Sequence, residues 1–367
     1  MKIINIVGAR PNFIKIAPIM RAMSHDSYFQ PLLLHTGQHY DFNMSGSFFK
    51  ELEIPEPDIN LGVGSLNHAK QVAAIMEKFD DICEQIKPDA ILVVGDVNST
   101  MACTLVAAKR GIKTVHVEAG IRSFDRTMPE EINRLVTDAL ADLLLPPSPD
   151  AIENLIREGH APGKIEMVGN IMIDSLLDHQ PKIGQSTILH SLGLAKGNYA
   201  TLTLHRPSNV DSAEAFTNII KALKFIQSKI TIVFPIHPRT KSMISNLSLD
   251  DEVAAMKNLK IIEPLGYFDF NKLVSGSQFV LTDSGGIQEE TTVQQIPCIT
   301  LRENTERPVT ITEGTNELAG SNTEKIIELT ELILSGNWKK GRIPEMWDGH
   351  AADRIISSIK ARIPISN

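Results

Sequence analysis

Residues 282–290 read Thr282-Asp283-Ser284-Gly285-Gly286-Ile287-Gln288-Glu289-Glu290, and the reading of this stretch decides the fold. The apolar run Phe279-Val280-Leu281 leads into it, and a helix-compatible segment ending near Pro297 follows. It therefore reads as the end of a strand, a tight turn and the first turn of a helix. Such a turn can hold phosphate. Ser284, Gly285 and Gly286 would aim backbone N–H groups at an anion, the absent side chains would allow close approach, and the helix dipole would add partial positive charge. An ordinary glycine-containing βα turn has the same local sequence, so the rest of the chain must supply the distinction.

Outward from this stretch the same rhythm recurs: a short, β-branched apolar run that stops at Gly or polar residues, then a longer helical period. In the first half the runs are 3–7, 31–35, 90–94, 114–117 and 143–145. Helical patterns occupy 14–23, 69–86 and 100–110, the last ending at Gly111, a good C-cap residue. In the second half the runs are 199–204, 230–234, 259–262, 278–281 and 298–301, and an amphipathic pattern closes the chain at 351–363. Two successive βα halves predict an α/β protein of two Rossmann-like domains facing a central cleft. The expected domains are 1–174, 175–350 and a terminal helix in 351–367.

With 367 residues the chain suits two domains of roughly 150 to 180 residues better than one core. The net charge of -8, with no local basic cluster, argues against a nucleic-acid partner. No window approaches 18 apolar residues, so no membrane span is expected. Cys83, Cys103 and Cys298 lie far apart among apolar neighbours, which fits reduced thiols in a cytoplasmic protein.

Ligands of open parallel sheets bind beyond the carboxyl ends of the strands, so the residues after each run describe the site. They include Arg10 and Lys15 after the first run, Asp96 after the third, Glu118 after the fourth, His205 and His237 in the second half, and Arg307 after the last. This is a set for an anionic, hydroxyl-rich ligand. The basic groups and the 284–286 turn suit a diphosphate, and Glu289 or Glu290 could accept hydrogen bonds from a ribose. Asp96, Glu118 and Glu130 form a set of carboxylates that could divide acid and base roles if they converge. No Gly-x-Gly-x-x-Gly, P-loop, His-Glu-x-x-His or Gly-x-Ser-x-Gly occurs, which speaks against dinucleotide oxidoreduction, P-loop hydrolysis, a dedicated metal site and a serine hydrolase.

The motifs Gly8-Ala9-Arg10-Pro11 to Lys15, Thr36-Gly37-Gln38-His39, Gly95-Asp96, His116-Val117-Glu118-Ala119-Gly120-Ile121-Arg122, Pro129-Glu130-Glu131-Ile132-Asn133-Arg134, His205-Arg206, 282–290 and Thr305-Glu306-Arg307-Pro308 stand in this order along nearly the whole chain. As a set they resemble the non-hydrolysing UDP-N-acetylglucosamine 2-epimerases. The resemblance implies a glycosyltransferase-B type fold, a last helix crossing back to the first domain, a homodimer, and interconversion of UDP-GlcNAc and UDP-ManNAc with neither cofactor nor metal. In that family a base removes the C2 proton while UDP leaves by anti elimination, and UDP adds back to 2-acetamidoglucal after reprotonation of the opposite face.

Carried onto this sequence, Asp96, Glu118 and Glu130 become the acid and base carboxylates, with Arg134 beside them and His205 near the leaving diphosphate. Arg10, Ser284, Gly285 and Gly286 would hold the phosphates and Glu290 the ribose, with Lys15, His237 and Arg307 also in the UDP-sugar site. Gln38 and His39 are the candidate contacts to a second, activating UDP-GlcNAc, although Tyr40 and Asp41 follow them where Arg and Gln or Glu are frequent. Asn12 replaces a common Glu, and Ser208 departs from the usual His-Arg-x-Glu-Asn. The competing readings are a hydrolysing epimerase releasing ManNAc and UDP, a 2-epimerase of another UDP-2-acetamido sugar, a glycosyltransferase and a non-catalytic sensor.

Overall fold

The structure, a computed structural model, describes residues 1–37 and 56–364; Gln38 and His39 lie outside them. The chain forms two compact units. The first comprises Met1–Asp178 and the residues from Glu345 onward, and the second His179–Pro344.

The first unit is built on β1 (Lys2–Val7), β2 (Gln30–His35), β3 (Ile59–Asn60), β4 (Ala90–Val94), β5 (Lys113–Val117) and β6 (Leu143–Leu145). They form a parallel six-stranded sheet in the order β3-β2-β1-β4-β5-β6. The second unit uses β7 (Tyr199–Thr203), β8 (Thr231–Pro235), β9 (Leu259–Ile262), β10 (Phe279–Thr282), β11 (Cys298–Thr300) and β12 (Asn316–Leu318), ordered β12-β11-β10-β7-β8-β9. Counted from its own first strand, the second sheet repeats the order of the first. Each is a doubly wound sheet whose order reverses once, between β1 and β4 and between β7 and β10.

The strands follow from composition. β4 is Ala-Ile-Leu-Val-Val with every residue buried, a continuous apolar run suited to a sheet covered on both faces. β3 and β12 were not foreseen, because neither has an apolar run; each is an edge strand held by its pairing to β2 or β11. Around the second sheet Phe216, Leu223, Phe234, Phe279, Leu281 and Ile299 form one core, each large side chain contributing about 1.5–3 kcal/mol of burial.

The chain changes unit at 178/179 and 344/345, not at the expected 174/175 and 350/351. Helix Ile171–Asp178 packs on helices Arg10–Ser24 and Ala351–Arg362, and buried Trp347 donates its indole N–H to the Pro147 carbonyl at 3.1 Å. Both border segments are thereby held in the first unit. Asp174 accepts the N–H groups of Ala351 (3.1 Å) and Ala352 (2.7 Å), capping the last helix from another element. Burial pushes its carboxyl up to about 6 against the pull of those amides.

Candidate functional site

Each unit gathers its polar residues where its strand order reverses. In the first unit, helix Arg10–Ser24 starts directly after β1, with Pro11 in its first turn and Arg10 as its opening residue. Asn12 spans the switch: its amide donates to the Val94 carbonyl at 2.9 Å, and its oxygen accepts from Gly8 (3.2 Å) and Ala9 (3.0 Å). One turn later Lys15 Nζ meets Glu118 Oε2 at 2.5 Å, with both side chains buried. Glu118 holds a left-handed φ of +68°, an uncommon state for a non-glycine residue, and its buried Oε1 has no hydrogen-bond partner among the described residues.

Gly95 sits against this pair. A Cβ there would lie 3.4 Å from Lys15 Nζ and 3.5 Å from Glu118 Oε2. Its successor, Asp96, is paired through Oδ2 with Arg134 Nη1 at 2.6 Å. Asp96 thus follows Gly95 in sequence and Glu118 lies against it in space, each carboxylate with its own cation. Glu130 stands half-buried in the first turn of helix Pro129–Leu140, whose Asn133 side chain donates to the Asp96 carbonyl at 2.8 Å.

That helix is inverted relative to ordinary amphipathic packing. Its buried face carries Glu131, Asn133, Arg134, Thr137 and Asp138, while Ile132 and Leu140 are exposed. Arg134, 2% exposed, binds Glu131 as well as Asp96, and Glu131 in turn accepts the N–H groups of Ser123 and Phe124. A polar face is buried here because it must hold loops that carry charge.

In the second unit the switch lies between β7 and β10. Asp283, fully buried after β10, accepts the N–H groups of His205 (2.9 Å) and Arg206 (2.8 Å), the residues that follow β7 by one step. Its other oxygen lies 2.8 Å from His205 Nδ1. Burial works to raise the Asp283 carboxyl, but His205 and the two amides outweigh it and hold it below the ordinary range. His237 caps helix Pro238–Asn246, its Nδ1 accepting from the Arg239 N–H at 3.2 Å; partial burial and the nearby His205 and Arg239 charges keep its pKa down.

Helix Gly285–Gln294 begins at the predicted turn, with Ser284 as N-cap residue. The Ser284 N–H already donates to Thr282 Oγ1 at 3.0 Å, so the amides left for an anion are those of Gly285 and Gly286. Arg307 is committed too, to Glu289 at 2.7 Å and Glu306 at 2.8 Å, and a Cβ on Gly285 would come within 2.9 Å of its Nη1. A side chain there would have to displace the guanidinium packed against it. Glu290 is buried beside Tyr267 and Asn271; burial first, then the charge of Glu289, pushes its carboxyl up to about 8.

The sequence reading missed Asp283 as the residue that fixes His205, and Asp138 with His116. One signal was available for Asp138: it stands at helical spacing from Arg134 and Glu131 and so shares their face.

A family model described as UDP-N-acetylglucosamine 2-epimerase matches residues 21–360. The UDP-N-acetylglucosamine 2-epimerase of Methanocaldococcus jannaschii is 41% identical over 97% of this chain and 98% of its own. The UDP-2,3-diacetamido-2,3-dideoxy-D-glucuronate 2-epimerase of Pseudomonas aeruginosa is 40% identical over 91% and 92%. The crystal structure of the M. jannaschii enzyme in complex with UDP-GlcNAc and UDP superposes with a TM-score of 0.89 at 40% identity, covering 98% of this chain and 100% of that one.

Proposed function

Because the chain belongs to the UDP-N-acetylglucosamine 2-epimerase family, we propose that it interconverts UDP-GlcNAc and UDP-ManNAc by inverting C2 of the sugar. The observation that carries this reading is the pair Asp96 and Glu118, each held by its own buried cation around Gly95. A carboxylate takes the C2 proton, the C–H electrons become the C1–C2 double bond, and the C1–O bond breaks so that UDP leaves with its electron pair. Reprotonation of 2-acetamidoglucal on the opposite face and return of UDP complete the inversion.

Glu118 suits proton transfer because Lys15 fixes one oxygen and leaves Oε1 unpartnered among the described residues. Arg134 holds Asp96, and Glu130 completes the set. In the second unit the Gly285 and Gly286 amides hold phosphate, a role that the family resemblance also gives to Arg10. His205, aligned by Asp283, serves the departing diphosphate, with His237 nearby and Arg307 bracing the turn. Glu290 meets the ribose. The protein acts as a cytoplasmic homodimer, and Gln38 and His39 belong to a second UDP-GlcNAc site.

Incubation with UDP-GlcNAc in deuterated water, followed by NMR, tests the reading. Deuterium at C2 together with UDP-ManNAc is the expected result. Free ManNAc plus UDP would instead identify a hydrolysing enzyme, and absence of exchange would sink both. One observation favours a second sugar: the P. aeruginosa diacetamido-glucuronate enzyme, at 40% identity, is nearly as similar to this chain as the M. jannaschii one at 41%. Repeating the exchange with that UDP-sugar decides between the substrates.

A further inference from the structure

Next to the turns that carry the first-unit acids lies a buried cluster with no hydrogen bond to the Asp96 or Glu118 carboxylate among the described residues. His116, on β5, is completely buried; its Nδ1 is 2.6 Å from Asp138 Oδ1 and its Nε2 is 2.9 Å from the Gly95 carbonyl. Both neighbours are oxygens, so the ring is held from both sides. The second oxygen of Asp138 accepts the Gly120 N–H at 3.0 Å and Arg122 Nη2 at 2.6 Å. Arg122 is itself held by Glu158, within reach of His160 at 3.8 Å. Burial alone would raise the Asp138 carboxyl, and the His116 and Arg122 charges reverse this and lower it.

These contacts join two turns. Through His116, Asp138 reaches the carbonyl of Gly95, the residue before Asp96. Through its other oxygen it holds Gly120 and Arg122, which flank the turn that begins at Glu118. Both turns need left-handed backbone, φ +72° at Gly95, +68° at Glu118 and +78° at Gly120, and a Cβ on Gly120 would come within 2.3 Å of the Ala151 carbonyl. Strained turns keep their shape only where surrounding contacts over-determine them.

We propose that His116 and Asp138 are positioning residues that set the spacing between the Asp96 and Glu118 carboxylates, with the His116 ring, hydrogen-bonded on both sides, as the strut between the two turns. The proposal rests on the epimerase reading for what that spacing is used for, but not for the strut itself. Its role is catalytic alignment rather than UDP binding, because the phosphate-holding turn belongs to the other unit. A misplacement of about 1 Å in such a pair lowers turnover on the order of 100-fold.

The test uses the full-length protein and the variants His116→Gln, His116→Ala and Asp138→Asn. For each, C2 deuterium exchange gives kcat and KM, calorimetry gives UDP affinity, and thermal unfolding reports folding. Folded variants should lose about 100-fold in kcat with KM and UDP affinity within about threefold. His116→Gln, which can still donate to one side, should keep more activity than His116→Ala. Unchanged kcat in a folded variant, or parallel loss of UDP binding, overturns the proposal.

Nitrogen-15 NMR of the wild-type His116 ring makes the test independent of variant folding. Hydrogen bonds from the ring to both the Asp138 carboxylate and the Gly95 carbonyl are expected, and a ring nitrogen without its partner overturns the strut. Should the wild type show no C2 exchange, the epimerase reading falls while the NMR result still decides the strut.

Discussion

Replacing Glu290 by Gln should stabilise the second unit by an amount that grows with pH. In the folded protein this carboxyl titrates near 8, against 4.5 when unperturbed, because it is buried and stands beside the Glu289 charge. Between those values the native state keeps a proton that the unfolded chain releases, so the stability of unfolding falls as pH rises from the lower value and levels off above the higher. At about 1.4 kcal/mol per unit, the ionisable residue lowers stability by about 1 kcal/mol at pH 5, about 3 at pH 7 and about 5 at pH 9. Gln has no such dependence, and its packing differences are the same at every pH, so they cancel in the comparison. The advantage of Glu290→Gln should therefore grow by about 4 kcal/mol from pH 5 to pH 9. Urea unfolding measures it, with Trp347→Phe as background in both proteins so that fluorescence comes from Trp338 of the second unit alone. An advantage that stays flat or shrinks with pH would refute the reasoning, because it would mean that Glu290 is ionised in the native protein.

Gly285→Ala should push the Arg307 guanidinium out of its contact and weaken UDP binding by about tenfold or more, read by calorimetry, since the added Cβ would lie 2.9 Å from Nη1. Lys15→Met leaves the buried Glu118 carboxylate without its cation and should destabilise the first unit by about 3–5 kcal/mol, measured by denaturant unfolding; a loss below about 1 kcal/mol would show that the pair is not desolvated. Asp174→Ala removes the acceptor of two helix amides and should cost about 1–2 kcal/mol, with faster hydrogen exchange at Ala351 and Ala352 as the local signature. Asp283→Asn should lower kcat while leaving KM nearly unchanged in steady-state kinetics, because His205 loses the carboxylate that aligns its ring.

The long apolar runs made most of the sheets legible, since strands buried on both faces leave little choice of composition. The edge strands β3 and β12 left no such trace, being fixed by their neighbours rather than by their own residues. Among the proposed site residues, Asp96, Glu118 and His205 stood out at the ends of strands, because a carboxylate or imidazole after an apolar run has few other reasons to recur. What each residue is paired with was not legible. Arg307 looks in sequence like a cation available to phosphate, yet two acids near it in space already hold it. Helix Pro129–Leu140 would be rotated by any hydrophobic reading, which would bury Ile132 in place of Arg134. Pairing over 38 residues, as between Arg134 and Asp96, has no periodicity for a sequence to display.

The pairing also bears on how a diphosphate could be both held and released. In the second unit Arg302 and Arg307 are balanced by Glu306 and Glu289, and Asp283 lies against His205. Glu290, titrating near 8, stays protonated at neutral pH. The Arg302 and Arg307 charges are thus balanced locally, and the Gly285 and Gly286 amides at a helix N-terminus offer an anion neutral donors. A clamp of free arginines would bind UDP and UDP-sugar alike, deepening the ground state without helping the bond to break. Fixed neutral dipoles, with one histidine aligned by a buried aspartate, can instead respond to the charge that grows on the leaving oxygen. In the proposed elimination and re-addition, which would cleave and remake the same bond, that distribution of charge is the more useful one, and it gives a reason for Arg302 and Arg307 to be bound so closely to acids of their own.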